Sequence, residues 1–272
     1  MRFALIDNLR VEAEPGLKGI CPGCMQPVIA KCGAQRIHHW AHSRSIACDK
    51  WWEAETEWHR AWKNNFPLGW QEVFLPDAQT GQKHIADVQT EHGLVIEFQH
   101  SHLNPQERIA RETFYKNMVW VVDGTRLKYD YRRFVKGHDY FQYTEQKGIF
   151  HVKSPEDCFP QAWLNSQVPV IFDFKGQEPL EDLLGLREPL YCLFPASIGK
   201  SAVVAKISRK AFIKHTTNGE WPVRVSNLMS NLINALQASQ RQEELLRLAL
   251  QHQDLEMKRF GMRPGYGKSR PF

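Results

Sequence analysis

The sequence predicts an α/β fold in which a helix, three strands, a second helix and a fourth strand follow in order. Three observations carry it. Residues 51–66 (WWEAETEWHRAWKNNF) space their apolar side chains as a helix does, HIADVQ and LVIEFQ read as short neighbouring strands, and MVWVVDG is an apolar run closed by Asp-Gly.

In the first helix, Trp51, Ala54, Trp58, Ala61 and Trp62 fall on one side. Glu55 and His59, four apart, share one flank of that stripe, where a border residue can face a cleft; Glu53 and Lys63 are expected to project towards solvent, with Glu57 on the opposite flank. Trp70–Leu75 reads as a strand ending at Pro76, DAQTGQK as a turn, and the Asp87 and Glu97 strands as hairpin partners. In LVIEFQH, Leu94, Ile96 and Phe98 point to one face and Glu97 and Gln99 to the other. Asn104 caps a helix that has Pro105 at its first position and runs through ERIARETFYKN, before the apolar strand MVWVVDG.

An acid on one strand and acid-x-polar on the next can bring three oxygen-bearing side chains to one divalent cation, the arrangement used for metal-dependent phosphodiester cleavage. The competing reading is an edge strand that merely alternates polar residues towards water. A second constellation lies upstream. Cys21-x2-Cys24 and His39-x2-His42 offer two pairs of ligands separated by fourteen residues, as in a tetrahedral structural zinc site, and a segment of about 50 residues needs such a staple. Cys32 or Cys48 in place of one histidine, His38 paired with His42, and a turn with two free thiols are the alternatives.

These boxes resemble the CoiA-like competence family of the PD-(D/E)XK nuclease superfamily. The residues that carry the resemblance are Cys21-Pro-Gly-Cys24, HHWAH at 38–42, EAETEWH at 53–59, Asp87, Glu97-Phe-Gln99 with Ser101, and Arg111 with Tyr115, so it spans about residues 20–124. It implies a nuclease core of αβββαβ order, a mixed sheet flanked by helices, with Asp87 and Glu97 holding Mg²⁺ or Mn²⁺ and Gln99 in the family's lysine position. Two departures stand out: Ala86 replaces a proline, and Gln99 can orient a water but supplies no positive charge. Glu55 and His59 complete the expected site, and His59 or His100 is a candidate proton donor or acceptor.

The chain of 272 residues is 42% hydrophobic, has no run approaching the ~20 apolar residues of a membrane span, and does not open with a basic start and a long apolar run. A soluble, cytoplasmic protein without membrane partners is the expectation, and six cysteines fit a reducing compartment. The net charge is +5, and basic residues cluster twice: Arg126, Lys128, Arg132, Arg133 and Lys136 interleaved with Tyr129, Tyr131 and Phe134, and a tail from Lys258 to Arg270. The aromatic-basic group suits single strands by stacking and charge, although inward-packed tyrosines are the favoured reading. Gly199-Lys-Ser201 lacks the upstream glycine of a phosphate loop, since Phe194 stands there.

The expected organisation is a zinc-binding segment at 1–50, a nuclease core at 51–135, and an α+β/helical extension made of an auxiliary region of unknown role at 136–225, a long amphipathic helix at 226–260 and a basic flexible tail at 261–272. The expected activity is Mg²⁺- or Mn²⁺-dependent hydrolysis of DNA, with structural Zn²⁺. Uptake, recombination or defence is the setting, and the long helix is a route to a homodimer. The alternatives are a zinc-containing module that binds nucleic acid or a recombination partner without cutting, and a structural adaptor.

Overall fold

In a computed structural model, strand pairing gathers the apolar runs into two sheets. The described residues are 1–43, 48–51, 53–77, 81–127, 129–176, 182, 184–198 and 201–259. Contacts divide the chain into two units, residues 1–223 and 224–272.

The first unit opens with five antiparallel strands, β1 (Phe3–Ile6), β2 (Leu9–Glu12), β3 (Lys18–Ile20), β4 (Pro27–Lys31) and β5 (His39–His42), in the order β2-β1-β3-β4-β5. Asp7 and Asn8 both take positive φ in the first hairpin, as a tight two-residue turn demands. Ala4, Val28 and Trp40 are buried between strands too short to form a large core.

Then come α1 (Glu57–Lys63), β6 (Gln71–Pro76), β7 (Lys83–Gln89), β8 (Val95–Gln99), α2 (Pro105–Tyr115) and β9 (Met118–Asp123), the predicted order of elements. The second helix starts where expected, with Asn104 accepting from the Gln106 N–H and Pro105 in the first turn. The first helix is shorter than its apolar spacing suggests. Thr56 caps it and His59 closes the capping box, so Trp51, Ala54 and Glu55 lie ahead of the helix, outside it. Trp51 stacks on His84 instead, with ring centroids 3.4 Å apart.

The sheet continues past residue 136. After α3 (Asp130–Gly137), the strands β10 (Phe141–Tyr143), β11 (Ile149–Val152), β12 (Val170–Asp173), β13 (Leu190–Ile198) and β14 (Ser201–Ile207) complete a nine-stranded order β10-β11-β14-β13-β12-β9-β8-β7-β6, followed by α4 (Arg209–Thr217). The sheet is mixed: β9 runs parallel to both β8 and β12, and the other pairs are antiparallel. β8 is an interior strand with all five residues buried, so Glu97 and Gln99 are not the water-facing side of an edge.

Strand alternation puts α1 and α2 on opposite faces of β8. Trp62 of α1 stacks on Phe98 at 5.7 Å, while Arg111 of α2 reaches Glu97. α1 is locked by Asp173, whose Oδ2 accepts from the indole N–H of Trp58 at 3.2 Å and of Trp62 at 2.9 Å, and which also pairs with Arg209 of α4. The second unit is the remainder of α5 (Trp221–Arg259), a longer helix than predicted, on which Leu245, Leu246, Leu248 and Leu250 are exposed. The expected tail at 261–272 and Gly199-Lys200 lie outside the described residues, among which no helix is long and apolar enough to cross a membrane.

Asp173→Ala strands two buried indole donors and a guanidinium at once. The expected loss of stability is about 3–5 kcal/mol, read from urea unfolding; a loss below about 1 kcal/mol would show that α1 is held by its rings alone.

Candidate functional site

The site begins where two strands part. β7 and β8 pair only through Val88 with Ile96 and Gln89 with Val95, and continuing that register places Asp87 opposite Glu97. Beyond this point side chains replace the backbone ladder: the Asp87 N–H donates to Glu97 Oε1 at 3.2 Å, and the Phe98 N–H to Asp87 Oδ2 at 2.9 Å. Each carboxylate therefore fills the gap by accepting from the other's strand. The two acids line one small pocket of about 50 Å³ together with Glu55, His59, Lys63, Glu72 and Arg111. A void of that size holds a few waters or one ion.

Filling the gap brings cations from both layers to the acids. Lys63 of α1, only 2% exposed, lies 2.6 Å from Glu55 Oε1, 3.2 Å from Glu72 Oε1 and 3.9 Å from Asp87 Oδ1. Burial disfavours its charge, but the three carboxylates outweigh burial and raise its pKa. Glu72 is driven down to about 2: burial opposes ionisation, but Lys63, the chain's amino terminus and the N–H groups of Arg2 and Phe3 prevail. Arg111 meets Glu97 Oε2 at 2.9 Å. Even so, burial first and the charge of Asp87 second push Glu97 up to about 8. Two oxygen-donor groups whose shared negative charge is under-compensated suit a hard divalent cation.

The other expected residues are placed differently. Glu55 leaves the helix and is gripped by Arg60 at 2.5 Å as well as by Lys63, which keep its pKa low against the effect of burial. His59 does line the pocket, but its Nδ1 is 2.9 Å from Thr56 Oγ1 in the helix cap. Gln99 turns away: its amide donates to Glu53 Oε2 at 2.6 Å and to Ser101. Glu53 and Lys63, expected in solvent, are both engaged inside: Glu53 lies ahead of the helix and bonds Gln99 and Ser101, and Lys63 is surrounded by carboxylates from three other positions of the chain. Arg111 and Tyr115 are one turn apart on α2 and both buried, with Glu97 bonded to the first.

The upstream cluster is built from Cys21, Cys24, His42 and Cys48, whose ligand atoms all lie within 4.8 Å of one another. Cys21 and Cys24 sit on the turn between β3 and β4, where the Met25 N–H donates to the Cys21 carbonyl and Met25 takes a positive φ. Their partners are close: Cys21 Sγ is 3.7 Å from Cys48 Sγ, and Cys24 Sγ is 3.2 Å from His42 Nε2. Zn–S bonds of about 2.3 Å at a tetrahedral angle separate two sulfurs by about 3.8 Å, so the donor set fits zinc. Burial and the neighbouring thiols raise Cys48, and burial lowers His42, which favours the neutral imidazole a metal takes. His39 is not a member. It stands three residues from His42 on one strand, an odd separation that points the two rings to opposite faces, and its Nδ1 is 2.9 Å from the Ile37 carbonyl. Among the described residues this is the one group that gathers three or more metal-ligating atoms so closely.

The Cys/His cluster is tied to the strand that carries Asp87. Asp49, next to Cys48, accepts from the Ile85 N–H at 2.8 Å and lies 3.0 Å from His84 Nδ1, and Lys83 donates to the Gly23 carbonyl at 3.0 Å.

Beside the small pocket is a cleft of about 1,840 Å³, and Glu55 lines both. Arg126, Tyr131, Arg132 and Lys136 of the aromatic-basic group face this cleft, whereas Phe134 packs in the core.

The family model for the competence protein CoiA, N-terminal domain, matches residues 17–50, the segment holding the Cys/His cluster. No curated protein and no solved structure matches the chain.

Cys48→Ser is expected to lower bound zinc from about one per chain to a small fraction, while His39→Ala leaves it unchanged in metal analysis after dialysis. The reverse result would return the fourth position to the histidine. Glu97 gives a pH dependence. With its folded pKa raised from 4.5 to about 8, its contribution is complete below the unfolded pKa and is lost as pH rises through about 8. In chelator, stability is therefore expected to fall across that window by at most about 1.4 kcal/mol per pH unit, and Glu97→Gln to remove that fall. An unaltered pH profile in the variant would assign the ionisation elsewhere.

Proposed function

We propose that the chain is a metal-dependent nuclease that hydrolyses DNA phosphodiester bonds, with helix α1 to strand β9 forming a PD-(D/E)XK core. The observation that supports it best is the meeting of Asp87 and Glu97 with the buried ammonium of Lys63 in one polar pocket. Asp87 and Glu97 would hold Mg²⁺ or Mn²⁺, which would supply water activation and neutralisation of charge on the phosphate. Lys63 supplies the positive charge that Gln99 lacks, from a helix instead of from the acidic strand. Glu55 and Glu72 keep that ammonium protonated and aimed. Gln99 holds Glu53, and the pair fixes the turn at Ser101 that follows β8. His100, whose Nδ1 is 2.8 Å from Asp123 Oδ2, is the better-oriented imidazole for proton transfer, since His59 serves a cap.

The Cys/His cluster would carry a closed, structural zinc. The CoiA match supports a setting in uptake or recombination of DNA in the cytoplasm, with defence as a neighbouring role. The exposed leucines of α5 support self-association. A non-catalytic nucleic-acid-binding module is the second reading, favoured by the commitment of Gln99 to Glu53.

Linear, circular and single-stranded DNA incubated with Mg²⁺, Mn²⁺ or chelator separates the two. Metal-dependent cutting that drops roughly 10²–10³-fold in Asp87→Asn and in Lys63→Met, with folding checked by unfolding curves, is the expected result. Binding without cutting in any metal would overturn the enzyme.

A further inference from the structure

The cleft of about 1,840 Å³ is far larger than a metal pocket needs and has walls of a distinct kind. It lies at the carboxyl ends of the three parallel strands: His100 follows β8, Asp123 ends β9, and Gly176 lies shortly after β12. Ligands of open α/β sheets bind in that position.

Its charge is one-sided once partners are considered. Arg36, Arg126, Arg132 and Lys136 face the cleft, and none makes an ion pair among the described residues. The acids of the wall are mostly engaged. Glu55 is held by Lys63 and Arg60, Asp123 by His100 and Thr125, and Asp182 by the N–H groups of Leu186 and Arg187 and by the Tyr131 hydroxyl. Glu57 is the exception, exposed in the first turn of α1. The same walls present apolar side chains to water: Leu127 is 47% and Leu184 63% exposed, with Ile37 and Val135 beside them.

Cations alone would suit any polyanion, but exposed apolar surface between them needs a ligand that offers flat apolar faces as well as phosphates. A duplex stacks its bases away from the protein, whereas a single strand presents both. A peptide carrying only acidic side chains would satisfy the arginines and leave the leucines wet.

We infer that this cleft holds a single polynucleotide strand, with phosphates on Arg36, Arg126, Arg132 and Lys136 and bases against Leu127 and Leu184, and delivers it past Glu55 to the Asp87 pocket. The delivery rests on the nuclease reading; the binding does not.

The test is fluorescence anisotropy with the full chain in chelator, so that nothing is cut. The probes are an oligothymidylate of about 16 nucleotides, the ribo-equivalent, a duplex of the same length and an abasic strand of equal charge. A base-bearing single strand is expected to bind at least ~10-fold tighter than the duplex or the abasic strand. Preference for the ribo-strand over the deoxy-strand supports the site and assigns its sugar. Arg132→Glu with Lys136→Glu, both exposed and outside the pocket, is expected to weaken strand binding at least ~10-fold and to flatten the salt dependence by about 1.4 in slope. Leu184→Ser is expected to weaken binding with the slope unchanged. Equal binding of duplex and strand, equal binding of the abasic strand, or affinity indifferent to these substitutions would overturn the assignment. Strand binding in a protein that never cuts would sink the hydrolase reading alone, and cutting without strand preference would sink this inference alone.

Discussion

One buried ammonium organises the first unit. Lys63 is enclosed by Glu55 on the lead-in to α1, Glu72 on β6 and Asp87 on β7; pairing of β6 with β7 brings the two strand carboxylates together, and the ammonium ties them to the lead-in. A charge removed from water must be paired, so the three carboxylates and the cation require one another. Glu72 extends the linkage, since its second role is to accept the Arg2 and Phe3 N–H groups that attach the small sheet to the large one. Its backbone takes a positive φ, a strained conformation for a side-chain-bearing residue at a strand's beginning, and the charge network is what holds it there.

The parting of β7 from β8 is the second determinant. A continuous ladder would have left Asp87 and Glu97 as an ordinary cross-strand pair on one face, repelling each other. Because the ladder stops, their carboxylates satisfy backbone donors and stay in the gap between the helical layers, within reach of Lys63 from one side and Arg111 from the other. The chemistry proposed for this chain follows from that break in regular structure.

Much of this was legible in the residues. Strand alternation and the Asn104-Pro105 start revealed β8, β9 and α2, because those signals are local. The start of α1 was not, since Trp51 and Ala54 continue an apolar helical spacing although Thr56 and His59 cap the helix further on; a histidine in the box's third position is a weak signal. Lys63 was read as solvent-facing because its partners lie up to 24 positions away and nothing in the helix period shows them. The Cys/His cluster was legible in two cysteines and His42. That His39 and His42 could not both serve was readable from their odd spacing, once HHWAH is seen as a strand. Cys48 was not ranked first because its place depends on Asp49 gripping β7, a tertiary contact.

Gly23, inside the Cys21-Cys24 turn, has no room for even a methyl group, because the ring of Phe74 on β6 occupies that space. The turn and the large sheet are thus shaped against each other as lock and key. The cysteine-rich segment cannot be transplanted as a self-contained cassette: parted from Phe74 it would lose the surface that seats it, and any metal it bound would have to organise a floppier loop from scratch.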